Sequence, residues 1–163
     1  MANVEGVLSG VCVAALIVIA VVDERTLEIP PICNWLIGIA GGIHLLMDLP
    51  QVMEYVAGMC CVSGIFIIVY WLTGGRAIGG GDIKLMAAAG LFLGWKKILL
   101  ALLVGFASAT VIHCLRMRLM GRGRVLALGP YLAFGIFTAM LYGSEIITWY
   151  SNFQFFYLQP FGK

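Results

Sequence analysis

The sequence contains few charged residues. Of its 163 residues, 11% are charged and 62% are hydrophobic, and the mean hydropathy is +1.03, whereas an ordinary soluble domain has about 25% charged residues. This composition excludes a water-soluble globular protein. Ten basic and eight acidic side chains leave a net charge of +2, which is too small and too scattered to indicate a nucleic-acid partner.

The chain also lacks the cysteine spacing of a metal site. It has five cysteines, and none of them follow the spacing of zinc ligands. We therefore predict no metal and no cofactor. We expect the cysteines to be small buried hydrophobic side chains, and they are Cys12, Cys33, Cys60, Cys61 and Cys114.

Long runs without charge dominate the sequence. Five of the six runs reach or nearly reach the length of about 20 residues that a membrane-spanning helix needs. The fourth has 11 residues, which cover about 16 Å of a hydrocarbon core that is about 30 Å thick. The runs are residues 6–22, 29–47, 55–75, 85–95, 98–115 and 125–144.

These runs predict an all-α membrane protein with six transmembrane helices and short loops. The fourth helix is predicted to be short and to follow a glycine-rich break at residues 79–81. The first run lacks the basic region and the cleavage site of a signal peptide, so we interpret it as a retained helix. We expect residues 1–163 to form a single domain. The oligomeric state stays open, because small residues at helical spacing serve intramolecular packing as readily as a dimer.

Six crossings place the end of the first helix and the start of the fourth on one side of the membrane. Asp23 and Asp82 therefore share a side, whichever way the chain inserts. Most basic residues belong to that side, and the positive-inside rule makes it cytoplasmic. We predict a multi-pass protein of the cell inner membrane with its N-terminus outside. The basic residues on the predicted cytoplasmic side are Arg25, Arg76, Lys84, Arg116, Arg118, Arg122 and Arg124, while Lys96, Lys97 and Lys163 lie opposite.

Two aspartates at the ends of membrane helices are the strongest functional candidates. An ionisable residue at the bilayer centre costs about 2.5–3.5 kcal/mol, so such residues usually serve a function. Asp82 follows three consecutive glycines, which permit positive φ, and irregular backbone at membrane depth survives only against protein or a water-filled cavity. Structural alternatives stay open: Asp23 could pair with Arg25 at the interface, and Asp82 could stabilise the N-terminus of its helix.

If both carboxyl groups face one cavity, they supply an acid and a base at the same place. Two carboxyl groups in one site cannot both ionise cheaply, so the pair holds one proton near neutral pH. The ionised member can deprotonate a water that attacks an amide carbon, and the protonated member can protonate the leaving amine. The residues alone leave open which aspartate holds the proton. Peptide hydrolysis at the cytoplasmic face is the predicted reaction.

The residues around Asp82 resemble a known family. Residues 79–85, GGGDIKL, together with Asp23 at the end of the first helix, resemble the GxGD aspartic peptidases of the type IV prepilin peptidase family, and most of all its short single-domain members. Residues 128–132, LGPYL, resemble the start of the last helix in that family. The resemblance covers almost the whole chain in order and topology.

The resemblance implies an endopeptidase that removes short, positively charged leader peptides from prepilins or pilin-like proteins. In the family, the cut falls where the basic leader meets a hydrophobic helix. The resemblance assigns roles to Asp23 and Asp82 as the catalytic pair, to Gly79 and Gly81 in shaping the loop, and to Lys84 as a position of the family motif.

The chain departs from the family pattern in two places. The family commonly has Ile-Pro-Asn after the first aspartate, whereas this chain has Ile-Pro-Pro at residues 29–31, and the role of the nearby Asn34 stays open. Longer members carry paired CxxC motifs in a domain that methylates the new N-terminus. This chain has no such pair, so we expect a peptidase without methyltransferase activity.

Because the leaders are basic, we expect the acidic Glu24 and Glu28 to bind them.

Two other functions fit the same composition. A small proton-coupled transporter also places aspartates in a membrane cavity, but such folds commonly contain paired repeats with matching broken helices, and one glycine break is present here. A non-catalytic scaffold for pilin assembly would keep the helices and need neither acid. Loss of leader cleavage in Asp23→Asn and Asp82→Asn variants would favour the peptidase over both.

Overall fold

The protein folds as an assembly of helices. A computed structural model describes residues 2–120 and 127–158. Within these ranges there are six α-helices, one 3₁₀-helix and no β-strand. The predicted helical architecture is therefore confirmed. The elements are α1 (Ala2–Thr26), α2 (Pro31–Met47), the 3₁₀-helix Leu49–Gln51, α3 (Val52–Thr73), α4 (Gly80–Leu93), α5 (Trp95–Met120) and α6 (Gly129–Leu158).

The helices differ in whether they are long enough to cross a membrane. In the part of the chain that the structure describes, α1, α3, α5 and α6 are long and apolar enough to do so. Helix α2 is apolar and has 17 residues. Large hydrophobic side chains such as Trp71, at 79% exposure, and Leu72, at 81%, cover the outside of the helices. Such a surface needs lipid around it, so the chain is a membrane protein.

Helix α4 is the short fourth helix that the sequence predicts. Its 14 residues rise about 21 Å, less than the hydrocarbon core of about 30 Å. The position of the break before it needs correction. The irregular segment is residues 74–79, and Gly80 and Gly81 already belong to the first turn of α4.

The three glycines before Asp82 do not use the positive φ that glycine permits. Positive φ occurs at Gly74, where α3 ends in a left-handed turn, and at Gly75. Gly79 has a φ of −76°. The end of α3 needs the left-handed conformation, whereas the start of α4 needs only the absence of side chains.

Helix α4 lies among its neighbours and packs on α2, α3, α5 and α6. Its approach to α3 is closest at two glycines, because a Cβ atom on Gly58 would lie 2.5 Å from the carbonyl oxygen of Gly90. Backbone therefore contacts backbone, as is typical of small residues at membrane helix interfaces. This packing seats α4 deep in the bundle and carries Asp82, at its N-terminal end, to the C-terminal end of α1.

The cysteines do not all behave as expected. Cys12 and Cys33 are buried, Cys61 is partly exposed, and Cys60 and Cys114 are exposed, so the prediction of burial is wrong for Cys60 and Cys114 and holds only in part for Cys61. Cys60 and Cys114 both lie on helices whose outer surface faces lipid, where a small apolar side chain costs little.

Among the described residues, no group of three His, Cys, Asp or Glu side chains could hold a metal ion. Arg122, Arg124 and Lys163 lie outside the described residues.

Candidate functional site

Asp23 lies in the last turn of α1 and is 5% exposed. Its Oδ2 accepts a hydrogen bond of 2.9 Å from the backbone N–H of Gly129, the first residue of α6. A Cβ atom on Gly129 would lie 2.6 Å from the same oxygen. No ion pair joins Asp23 to Arg25 within the described ranges, so the structural alternative for Asp23 does not describe its contacts.

The chain turns sharply just after Asp23. The N–H of Leu27 donates to the backbone carbonyl of Asp23 at 2.9 Å, and Leu27 has a φ of 57°. A residue other than glycine in this left-handed conformation costs about 1–2 kcal/mol. The turn ends α1 and directs the chain so that Ile29 reaches the first turn of α4.

Asp82 occupies the first turn of α4 and is 8% exposed. Its Oδ2 accepts a hydrogen bond of 3.2 Å from the N–H of Gly79, which precedes the helix. An acid at this position satisfies an unpaired donor and interacts favourably with the helix dipole. The structural alternative for Asp82 is therefore met, and it leaves the second carboxyl oxygen available for other chemistry.

The structure places the two aspartates at one end of the bundle, since Asp23 lies in the last turn of α1 and Asp82 in the first turn of α4. Ile29, shortly after Asp23 in the chain, lies against Gly81, which directly precedes Asp82. Neither aspartate forms an ion pair with a lysine, arginine or histidine of the described chain. Burying a carboxylate without a cation is costly, and two carboxyl groups in one site lower that cost when they share one proton.

The three glycines before Asp82 have unequal surroundings. A Cβ atom on Gly79 would lie 3.1 Å from Asp82 Oδ2, and one on Gly81 would lie 3.0 Å from the Cβ of Ile29. A Cβ atom on Gly80 would meet nothing within 4 Å. The structure therefore places Gly79 and Gly81 where only glycine fits without adjustment, and leaves room at Gly80.

Asn34 joins α2 to the same turn. Its side-chain Nδ2 donates to the carbonyl oxygen of Gly81 at 3.3 Å, and the residue is 8% exposed. Asn34 also contributes to the side of a cavity of about 530 Å³ between α2 and α4. Most of the cavity lining is apolar, and Lys84 is its charged residue.

The remaining predicted site residues lie at the surface. Lys84 is exposed on α4, and Glu28 is exposed between α1 and α2. Glu24 forms an ion pair of 3.1 Å with Arg116 of α5, with both side chains about half exposed. Within the described ranges, no hydrogen bond or ion pair connects these three predicted residues to either aspartate.

A known protein family matches this chain. The family described as the type IV leader peptidase family matches residues 10–114, a stretch that contains both aspartates. The chain belongs to this family. The resemblance inferred from residues 79–85 is confirmed. No solved structure matches the chain.

Relatives of this leader peptidase family member are longer proteins. The prepilin leader peptidase/N-methyltransferase of Legionella pneumophila is 30% identical over 122 residues, covering 73% of this chain and 42% of the relative. The protein of the same name from Pseudomonas aeruginosa is 33% identical over 127 residues, covering 75% and 43%. The chain thus spans about two fifths of the length of these relatives.

The sequence does not predict the contacts that hold the two aspartates in place. Residues 128–132 predict the start of the last helix but not the bond from Gly129 to Asp23, and the pattern assigns no role to Asn34 and no contact between Ile29 and Gly81. A signal is present: Ile29 and Gly129 directly precede Pro30 and Pro130, and Asn34 lies in the first turn of α2, so all three are at the starts of helices that reach the same end of the bundle.

Proposed function

We propose that this protein is a membrane-embedded aspartic endopeptidase that removes the basic leader peptide of type IV prepilins or pilin-like proteins. The observation that carries the proposal is the pair of nearly buried carboxyl groups of Asp23 and Asp82, at the end of α1 and the start of α4 on one end of the bundle. The family of the chain supports the same activity. Acids that serve only the fold are commonly paired with cations when they are buried.

The proposed reaction uses the two carboxyl groups in opposite protonation states. The ionised carboxylate removes a proton from a water molecule, whose oxygen then forms a bond to the carbonyl carbon of the scissile peptide. The protonated carboxyl group stabilises the developing oxyanion and delivers its proton to the leaving nitrogen as the C–N bond breaks. The pair ends with one proton, as it began.

The proposed substrate is cut where its basic leader meets a hydrophobic helix. Glu24 and Glu28 are exposed near Asp23 in the chain, where they can attract a basic leader. The ion pair of Glu24 with Arg116 reduces the charge that Glu24 presents. A leader lysine or arginine therefore competes with Arg116 for Glu24.

We propose further that the protein lies in the cell inner membrane, with its N-terminus outside and the aspartates on the cytoplasmic side. Arg25, Arg76 and Arg118 flank the helix ends on that side, in agreement with the positive-inside rule. We also propose that residues 1–163 by themselves cleave without methylating the product, because this stretch contains no paired CxxC motifs. Appearance of labelled pilin after incubation with a radioactive methyl donor would contradict the second proposal.

The test of the proposed function is leader cleavage by the purified protein in proteoliposomes. Asp23→Asn and Asp82→Asn are each expected to lower kcat/KM by about 10²–10⁴-fold, the usual contribution of a general acid or base. Asp48→Asn is the matched control, since Asp48 follows α2 at the other end of the bundle. Full cleavage by either dyad variant, with normal membrane insertion, would favour a non-catalytic role and overturn the proposal.

A further inference from the structure

Asn34 has one satisfied and one unsatisfied side-chain atom. The carbonyl oxygen of Gly81 can only accept a hydrogen bond, so the atom facing it is the amide nitrogen. The Oδ1 atom is buried and has no hydrogen-bond partner within residues 2–120 and 127–158. Leaving a buried acceptor unsatisfied is unfavourable, so this atom calls for a partner that the described chain does not itself supply.

The position of Asn34 connects this acceptor to the dyad. Its amide holds the carbonyl of Gly81, the residue directly before Asp82. The same side chain contributes to the cavity between α2 and α4, whose opposite side includes Ala88 and Lys84. Small residues line part of this cavity, since a Cβ atom on Gly38 would lie 3.8 Å from the Cβ of Ala88. Asn34 therefore contacts both this cavity and the turn that carries Asp82.

We propose that Asn34 Oδ1 accepts a hydrogen bond from a backbone N–H of the substrate beside the scissile bond, so that Asn34 is a substrate-binding residue. This inference rests on the proposed function. The first N–H groups of any helix lack intrahelical partners, and the proposed substrate is cut at the start of a helix. At membrane depth these donors need an acceptor from the protein.

The same asparagine then links substrate binding to the position of Asp82. One end of its amide holds the turn that carries Asp82, and the other end receives the substrate. Oδ1 is covered in the free protein, so a substrate donor reaches it after the covering side chains shift locally. Hydrogen bonds in active sites commonly tighten in this way only when the substrate binds. Bound substrate therefore restrains the turn through Asn34.

The experiment is a double-mutant cycle between the protein and the substrate backbone. Wild-type protein and Asn34→Leu are assayed with a prepilin peptide and with variants in which one backbone amide near the cut is replaced by an ester, the scissile amide being kept. An ester at the recognised position removes the donor and is expected to lower kcat/KM of the wild type by about five- to tenfold. The same ester is expected to leave Asn34→Leu unaffected, because the acceptor is already missing.

Controls separate binding from folding. Cys33→Ala alters the neighbouring buried residue of α2 and is expected to keep the full ester effect. Thermal unfolding in detergent checks that Asn34→Leu is folded, and Asn34→Ala serves in its place if it is not. Ester effects of equal size in the wild type and the Asn34 variant at every position would overturn the inference alone. Failure of the wild-type protein to cleave any peptide would instead overturn the proposed function, and this inference with it.

Discussion

The two ends of the helix bundle both carry partly or fully buried acids, and the acids have different partners. Near the end of α2, Asp48 accepts a hydrogen bond of 3.1 Å from the Tyr55 hydroxyl, and Glu54 pairs with Lys96 at 3.4 Å. At the other end, the hydrogen bonds found for Asp23 and Asp82 come from backbone N–H groups. The acids at one end are bound to side chains of neighbouring helices, whereas the two aspartates at the opposite end have no cationic side-chain partner among the described residues, as the proposed proton transfer requires.

The largest expected effect is on the pH dependence of cleavage. Cleavage needs one protonated and one ionised carboxyl group, so kcat/KM is expected to follow a bell-shaped curve. At low pH both groups are protonated and no base remains, and at high pH both are ionised and no acid remains. Each limb is expected to fall by about tenfold per pH unit.

The contrasting end of the bundle provides the control for the pH profile. Asp48→Asn is expected to leave both limbs in place, because Asp48 contacts Tyr55 and not the dyad. The measurement is initial cleavage rate at saturating and limiting substrate across the pH range in which the protein stays folded. A flat profile for the wild type, or a limb that shifts in Asp48→Asn, would mean that the acids at the two ends do not differ in their role in cleavage.

The next largest effect is expected at Gly129. A methyl group there would sit 2.6 Å from Asp23 Oδ2, so Gly129→Ala must displace the carboxyl group or the start of α6. A displacement of about 1 Å at a catalytic group can cost about 10²-fold in rate. We expect a loss of this order in kcat, with little change in KM, measured by single-turnover cleavage.

Gly143→Ala is the matched substitution in the middle of the same helix. The added Cβ atom would lie 3.1 Å from the Cγ of Lys97, part of a flexible side chain that can move aside. We expect activity within about twofold of the wild type, since moving one flexible side chain costs little. Equal losses in the two variants would mean that an added methyl group at any glycine of α6 is damaging and that Gly129 has no special relation to Asp23.

A smaller effect is expected within the glycine turn itself. Gly81→Ala brings a Cβ atom to 3.0 Å from the Cβ of Ile29, whereas Gly80→Ala meets nothing within 4 Å. Crowding of this kind typically costs about 1–3 kcal/mol. We expect Gly81→Ala to lower the thermal stability of the protein and to lower the cleavage rate by about tenfold. Gly80→Ala is expected to retain both the stability and the rate of the wild type. The comparison fails if Gly80→Ala is the more damaging of the two.

The smallest effect concerns the surface ion pairs. Glu24→Gln with Glu28→Gln is expected to raise KM for a basic leader by about two- to fivefold, the range typical of exposed ion pairs. Arg116→Gln frees Glu24 and is expected to lower KM. Lys96→Gln breaks the ion pair at the other end and is expected to leave KM unchanged, which steady-state assays at low salt can measure.

The charge-free runs predict the helices and place Asp23 and Asp82 at the same end of the bundle. The first result depends on the length of each apolar run, and the second depends only on the number of helices between the two residues. The short fourth helix follows from the length of its run, since residues 85–95 are too few to cross the bilayer.

The contacts of the site could not be predicted in the same way. The bond between Gly129 and Asp23 joins residues 106 positions apart and depends on how α1 and α6 pack. The difference between Gly80 and Gly81 depends on where the turn at Leu27 places Ile29. The ion pair between Glu24 and Arg116 also joins residues that are far apart in the sequence. Such contacts arise from tertiary packing, and the residue pattern and the helical period contain no information about that packing.

The limited length of α4 has a consequence for the water that the proposed hydrolysis needs. Helix α4 is about 9 Å shorter than the hydrocarbon thickness, and irregular backbone at membrane depth occurs only against protein or a water-filled cavity. Asp82 stands at the N-terminal end of this helix, and α3 and α5 beside it are long enough to cross fully. We expect water to enter the space that the short helix leaves between its longer neighbours, so that the proposed hydrolase needs no separate channel for its second reactant.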